Sequence, residues 1–106
     1  MPISPTQRTL AHLRNEGYTA AVVEHWNPHA RIRQDLFGII DILALRGSET
    51  IAIQCTTAPH MAERVQKIAD SEHIAAIREA GWTVQVWGWK LPAKSRTWVH
   101  RVVDCS

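Results

Sequence analysis

Two polar residues interrupt segments that are otherwise apolar. The stretch from Asp35 to Thr57, DLFGIIDILALRGSETIAIQCTT, is a pair of apolar runs about a short polar turn. Asp41 breaks the first run, GIIDILAL, and Gln54 breaks the second, TIAIQCTT. A carboxylate in an apolar strand is costly unless it is paired, hydrogen-bonded or bound to a metal. The turn Arg46-Gly47-Ser48-Glu49 predicts an antiparallel hairpin with a four-residue loop. With Leu45 opposite Thr50, the register sets Asp41 opposite Gln54, and Thr56 shares the face of Gln54. A slip of one residue would send Gln54 to the other face. In this register the hairpin gathers a carboxylate, an amide oxygen and a hydroxyl. Such hard oxygen ligands suit Mg²⁺ or Mn²⁺.

An Asp on one strand, followed on the next by the triplet Gln54-Cys55-Thr56, resembles the pattern of the PD-(D/E)XK nuclease superfamily. Two positions depart from it. Gln54 stands where Glu or Asp is usual, and Thr56 stands where the catalytic lysine is usual. The resemblance implies an α/β fold: a restriction-endonuclease-like αβββαβ core, a central mixed sheet flanked by helices, here with an extra C-terminal edge strand. It implies a metal-dependent endonuclease acting on DNA, of the small phage or mobile-element kind. Asp41, Gln54 and the backbone carbonyl of Cys55 would hold Mg²⁺ or Mn²⁺, and Glu24 or Asp35 would add charge. Asp35, six residues before Asp41, is expected at the strand entry and is the weaker metal ligand. A cation from the following helix would stand in for the motif lysine, Lys67 first and Arg64 second; a solvated helix charge is the other reading of Lys67. Many small nucleases of this fold act as dimers, one protomer for each strand of a duplex, which admits a homodimer here. The alternative that the substitutions at Gln54 and Thr56 suggest is a catalytically inactive nuclease-fold module that binds DNA or a protein partner.

Other chemistries find less support. The two cysteines, Cys55 and Cys105, make neither a disulfide framework nor a zinc spacing, and no Gly-rich phosphate loop or nucleophile elbow is present. The net charge of +2 permits nucleic-acid binding without demanding it. Arg31 and Arg33, on the polar stretch Asn27–Gln34, could hold phosphates beside an acidic site, as could Arg64. Of the five tryptophans, four lie between Trp82 and Trp98, where a core or an interface is expected ahead of base stacking. No apolar run approaches a membrane span, and the N-terminal MPISPTQRTL has no signal-peptide core, so a cytosolic protein is expected.

The elements that must position these residues follow in one domain covering residues 1–106. Ser4-Pro5 is an N-cap followed by proline at the first helical position, which predicts a helix to about Glu16 with Leu10 and Leu13 inward. Tyr18 to Trp26 reads as one strand ending near Glu24, which either meets water or supplies an oxygen to the site. Asn27 to Gln34 reads as a loop. Strands are expected over Ile39–Leu45 and Thr50–Thr57. Two helices, His60–Ala69 and Glu72–Ala80, are expected about a break at Asp70-Ser71. A strand over Trp82–Trp89 and a short edge strand over Trp98–Val103 complete the chain.

Overall fold

The computed structural model describes residues 3–106; Met1 and Pro2, part of the stretch read for a leader, lie outside them. Helix α1 spans Pro5–Asn15, and the Ser4 hydroxyl accepts the Gln7 N–H at 3.1 Å. Gly17, at φ +93°, supplies the left-handed turn that releases the chain into the sheet. Strand β1 is Thr19–Val22, β4 is Ile42–Arg46, β5 is Glu49–Thr57, β6 is Thr83–Lys90 and β7 is Val99–Asp104. They form one mixed five-stranded sheet in the order β1-β4-β5-β6-β7. Only the β5–β6 pair is parallel, and its crossover carries the helices α2, Met61–Ala69, and α3, Ile74–Glu79. A parallel pair needs such a crossover, and here it covers one face of the sheet. The result is an α/β fold with a mixed sheet between helices and β7 at one edge. No described helix is long and apolar enough to cross a membrane.

Alternation along the strands divides the core. On one face Ile51, Ile53 and Cys55 of β5 meet Leu10 and Leu13 of α1, with Trp87 and Trp89 of β6. Burying one such leucine contributes about 2 kcal/mol. The Trp89 indole N–H donates to Thr9 Oγ1 at 2.9 Å, and that hydroxyl donates to the Pro5 carbonyl, so a fully buried threonine is satisfied. On the other face Ala52, Val84 and Val86 meet Met61, Ile68, Ile74 and Ile77. Gly88 belongs to this face because a Cβ there would lie 2.2 Å from Met61 Sδ. At the β1 edge, Val23 N–H donates to the Asp41 carbonyl, so by alternation the Ala20 carbonyl faces away from β4. The Arg14 guanidinium covers it, at 3.0 Å and 3.3 Å.

The hairpin register matches the sequence reading: Leu45 pairs with Thr50, Leu43 with Ala52 and Ile42 with Ile53. The loop is shorter than expected, because Arg46 pairs with Glu49 and Gly47 at φ +61° makes the turn with Ser48. Three boundaries are corrected. The single strand over Tyr18–Trp26 is two, β1 and β2 (His25–Asn27). The expected loop folds back as β3 (Ile32–Gln34), which pairs with β2 in a separate hairpin. The Asn27 side chain drives this turn by accepting the His29 and Ala30 N–H groups at 3.0 Å and 3.2 Å. The strand expected from Ile39 begins at Ile42, because Leu36 to Ile40 is a tight turn closed by a Leu36–Ile40 bridge.

Candidate functional site

Asp41 sits where the β4–β5 ladder ends. Its own N–H still donates to the Ile53 carbonyl at 2.8 Å, while its side chain turns toward β5. Asp41 Oδ2 accepts the Gln54 amide at 2.7 Å and the Cys55 N–H at 2.8 Å. The sequence pairing of Asp41 with Gln54 is thus a direct hydrogen bond between two buried side chains, 4% and 3% exposed. Asp35 arrives from the preceding turn. Its Oδ2 lies 3.5 Å from Gln54 Nε2 and 3.4 Å from Lys67 Nζ on α2. Glu24, just past β1, completes a group in which one oxygen each of Glu24, Asp35 and Asp41 lie within 4.8 Å of one another.

Electrostatics at this point are unfavourable without a counter-charge. Burial pushes the Asp41 carboxyl up to about 7; the Cys55 N–H opposes the shift, and the neighbouring Asp35 and Glu24 add to it. Gln54 Nε2 spends its hydrogens on carboxylates, and Gln54 Oε1 is buried with no partner among the described residues. An unmade bond on a buried amide oxygen costs about 1–3 kcal/mol. Three converging carboxylates are oxygen donors that could hold a metal ion, and the orphaned amide oxygen would join them if the Gln54 amide turned over. The N–H and C=O of one strand residue point to the same side, so the Cys55 carbonyl shares the Asp41 side of β5. Burial also pushes the Cys55 thiol up to about 12, which leaves its backbone as the usable part.

The remaining candidates divide. Lys67 reaches the group through Asp35, with its side chain 40% exposed. Arg33 lies 4.0 Å from Glu24 and lines an open cleft of about 700 Å³ beside the acids. His25, Asp35, Phe37, Lys67 and His73 line the same cleft. Arg31 is exposed at the tip of the β2–β3 hairpin, and Arg64 is half-buried on α2; neither lines the cleft. Thr56 is buried and makes no hydrogen bond to the acidic group among the described residues. Asp35 is more central than its sequence position implied, because the turn after it returns the chain to Asp41. Phe37, His25 and His73 carry no signature in the sequence; only Gly38, placed after an aromatic and between two acids, marks the turn that brings the first of them here.

Scanned against models of known protein families and against curated proteins, the sequence matches none. The assignment of a function therefore rests on the site.

Proposed function

We propose that the chain is a divalent-cation-dependent nuclease of the PD-(D/E)XK kind, hydrolysing phosphodiester bonds in DNA. The observation that carries this reading is the meeting of Glu24, Asp35 and Asp41 around the Gln54 side chain, with a lysine 3.4 Å from Asp35. Asp41, Gln54 and the Cys55 carbonyl would hold Mg²⁺ or Mn²⁺, with Glu24 and Asp35 adding charge. Such an ion polarises a phosphate and neutralises charge on the leaving oxygen.

The chain's own residues supply the rest. Asp41 must lose its proton to act as a ligand, so ion binding strengthens as pH rises through about 7. Gln54 must turn its amide, which places Oε1 among the acids and frees the hydrogens that now rest on Asp41 and Asp35. Lys67 carries three N–H donors and gives one to Asp35, which leaves two for a phosphate oxygen or a water at the cleft wall. It thereby takes the part that Thr56, an uncharged hydroxyl, does not fill. Arg33, exposed beside Glu24, adds positive charge where the backbone of a nucleic acid would run.

The test is incubation of the protein with supercoiled plasmid and a four-way junction in Mg²⁺, Mn²⁺ or EDTA, beside Asp41→Ala. The expected result is cleavage that requires the ion and disappears in the variant. Normal cleavage by a folded Asp41→Ala would refute the assignment. The buried, uncharged Thr56 favours a second reading, a non-catalytic module that binds DNA. Absence of cleavage with every ion, together with a gel shift that weakens as salt rises, would select it.

A further inference from the structure

Beside the acids, the turn Leu36-Phe37-Gly38-Ile39 holds two successive residues in the left-handed region, Phe37 at φ +55° and Gly38 at φ +76°. The Ile39 N–H closes it on the Leu36 carbonyl at 3.2 Å. In a turn of this kind the first central position belongs to Asn, Asp or Gly, because a Cβ there meets its own backbone. Phe37 gains little burial in return, since 47% of it is exposed. Its ring stands 5.6 Å from the His73 ring at a tilt of 44°, where the cleft meets a small apolar hollow lined by Ala76, Ile77 and Trp82. A strained backbone that presents a large apolar ring to solvent beside a site points to work done by the ring. Arg33 and Lys67, which suit a phosphate backbone, line the same cleft as the ring, together with the carboxylates of Asp35 and Glu72.

We infer that Phe37 is a stacking platform for an unpaired base, and that the substrate of this site is DNA with unstacked nucleotides next to the cleft: a flap, a bulge, a junction or a single strand. The inference rests on the nuclease reading for the identity of the ligand. It adds the substrate class, because in a continuous duplex each base already stacks on both sides and offers no free face. In an unpaired nucleotide that face is free, and an aromatic ring meets it without regard to sequence. The neighbouring cations hold the adjoining phosphates and so fix which nucleotide reaches Phe37.

The test separates binding from cleavage. Full-length protein in EDTA is titrated by fluorescence anisotropy with a continuous duplex and with the same duplex carrying an unpaired 2-aminopurine. Protein variants are Phe37→Ala, Phe37→Trp and Phe37→Asn. Asn suits the left-handed backbone, so its urea midpoint should equal or exceed that of the parent, and any loss of binding in it is not misfolding. The expected result is a loss of about 5- to 100-fold for the Ala and Asn variants on the unpaired DNA. Duplex binding should stay within about twofold, Phe37→Trp should bind the unpaired DNA like the parent, and 2-aminopurine emission should fall on binding the parent but not Phe37→Asn. Equal loss on both DNAs, no loss on the unpaired DNA, or failure of the parent to bind DNA at all would overturn the inference. The expected pattern without ion-dependent cleavage would sink the nuclease reading alone and leave the platform standing.

Discussion

Replacing Asp41 by Asn should stabilise the ion-free protein, by an amount that depends on pH. The folded chain keeps the Asp41 proton up to about 7, whereas the unfolded chain releases it near 3.8. Between those values the unfolded state binds fewer protons, so stability falls as pH rises, and above about 7 the loss is complete. Three pH units at about 1.4 kcal/mol each make that loss about 4 kcal/mol. Asn avoids it. Its oxygen can accept the Cys55 N–H and the Gln54 amide as Asp41 Oδ2 does, and its NH₂ carries no charge to oppose the nearby Asp35 and Glu24. The advantage of Asp41→Asn should widen by about 3 kcal/mol between pH 5 and pH 8. Urea unfolding followed by tryptophan fluorescence in EDTA at both pH values measures it. An advantage that is the same at both, or that shrinks as pH rises, would show that Asp41 is ionised throughout and would refute the electrostatic account of the site. Added Mn²⁺ should stabilise the parent at pH 8, by about 2.7 kcal/mol at a hundred times its dissociation constant, and leave the variant unmoved.

Two further substitutions test the parts around Asp41. Lys67→Ala should lower cleavage by about 10²-fold or more, as loss of a transition-state donor does, yet change stability by less than about 1 kcal/mol because its ion pair with Asp35 is half exposed; plasmid nicking rates beside urea midpoints decide, and an equal fall in both would make Lys67 a structural residue. Gly88→Ala should destabilise by about 1–3 kcal/mol, because its Cβ would overlap the Met61 side chain, which must leave its place between α2 and the sheet; an unchanged denaturation midpoint would mean that Met61 swings aside without loss.

What the sequence disclosed about this site follows from the range of the signals. The β4–β5 hairpin is local, its faces are fixed by alternation, and its turn fixes the register, so the meeting of Asp41 and Gln54 was legible from residue spacing alone. The two helices and the break at Asp70-Ser71 were legible for the same reason. The β2–β3 hairpin was not. It buries little, with Trp26 and Ile32 both half exposed, and is made by the Asn27 side chain, so no apolar alternation announces it. The approach of Asp35 to Asp41 is made by a left-handed turn, which spacing along a strand does not reveal. Lys67 was named by analogy, and its approach to Asp35 depends on how the crossover lies on the sheet, which no local pattern encodes.

The Arg14 guanidinium on the Ala20 carbonyl has a consequence for association. Strand β1 is an open margin of the sheet, only four residues long, and its central outward acceptor is already taken by two donors from the same chain. Another strand arriving there would find a short ladder with the Ala20 acceptor already taken, and would face a positive charge. The opposite margin, β7, is longer and bears exposed Val99 and Val102 with Arg101 between them. Stacking of copies, strand upon strand, is therefore disfavoured at the β1 margin, so growth through the β7 margin would meet a poor edge for continuing beyond a pair.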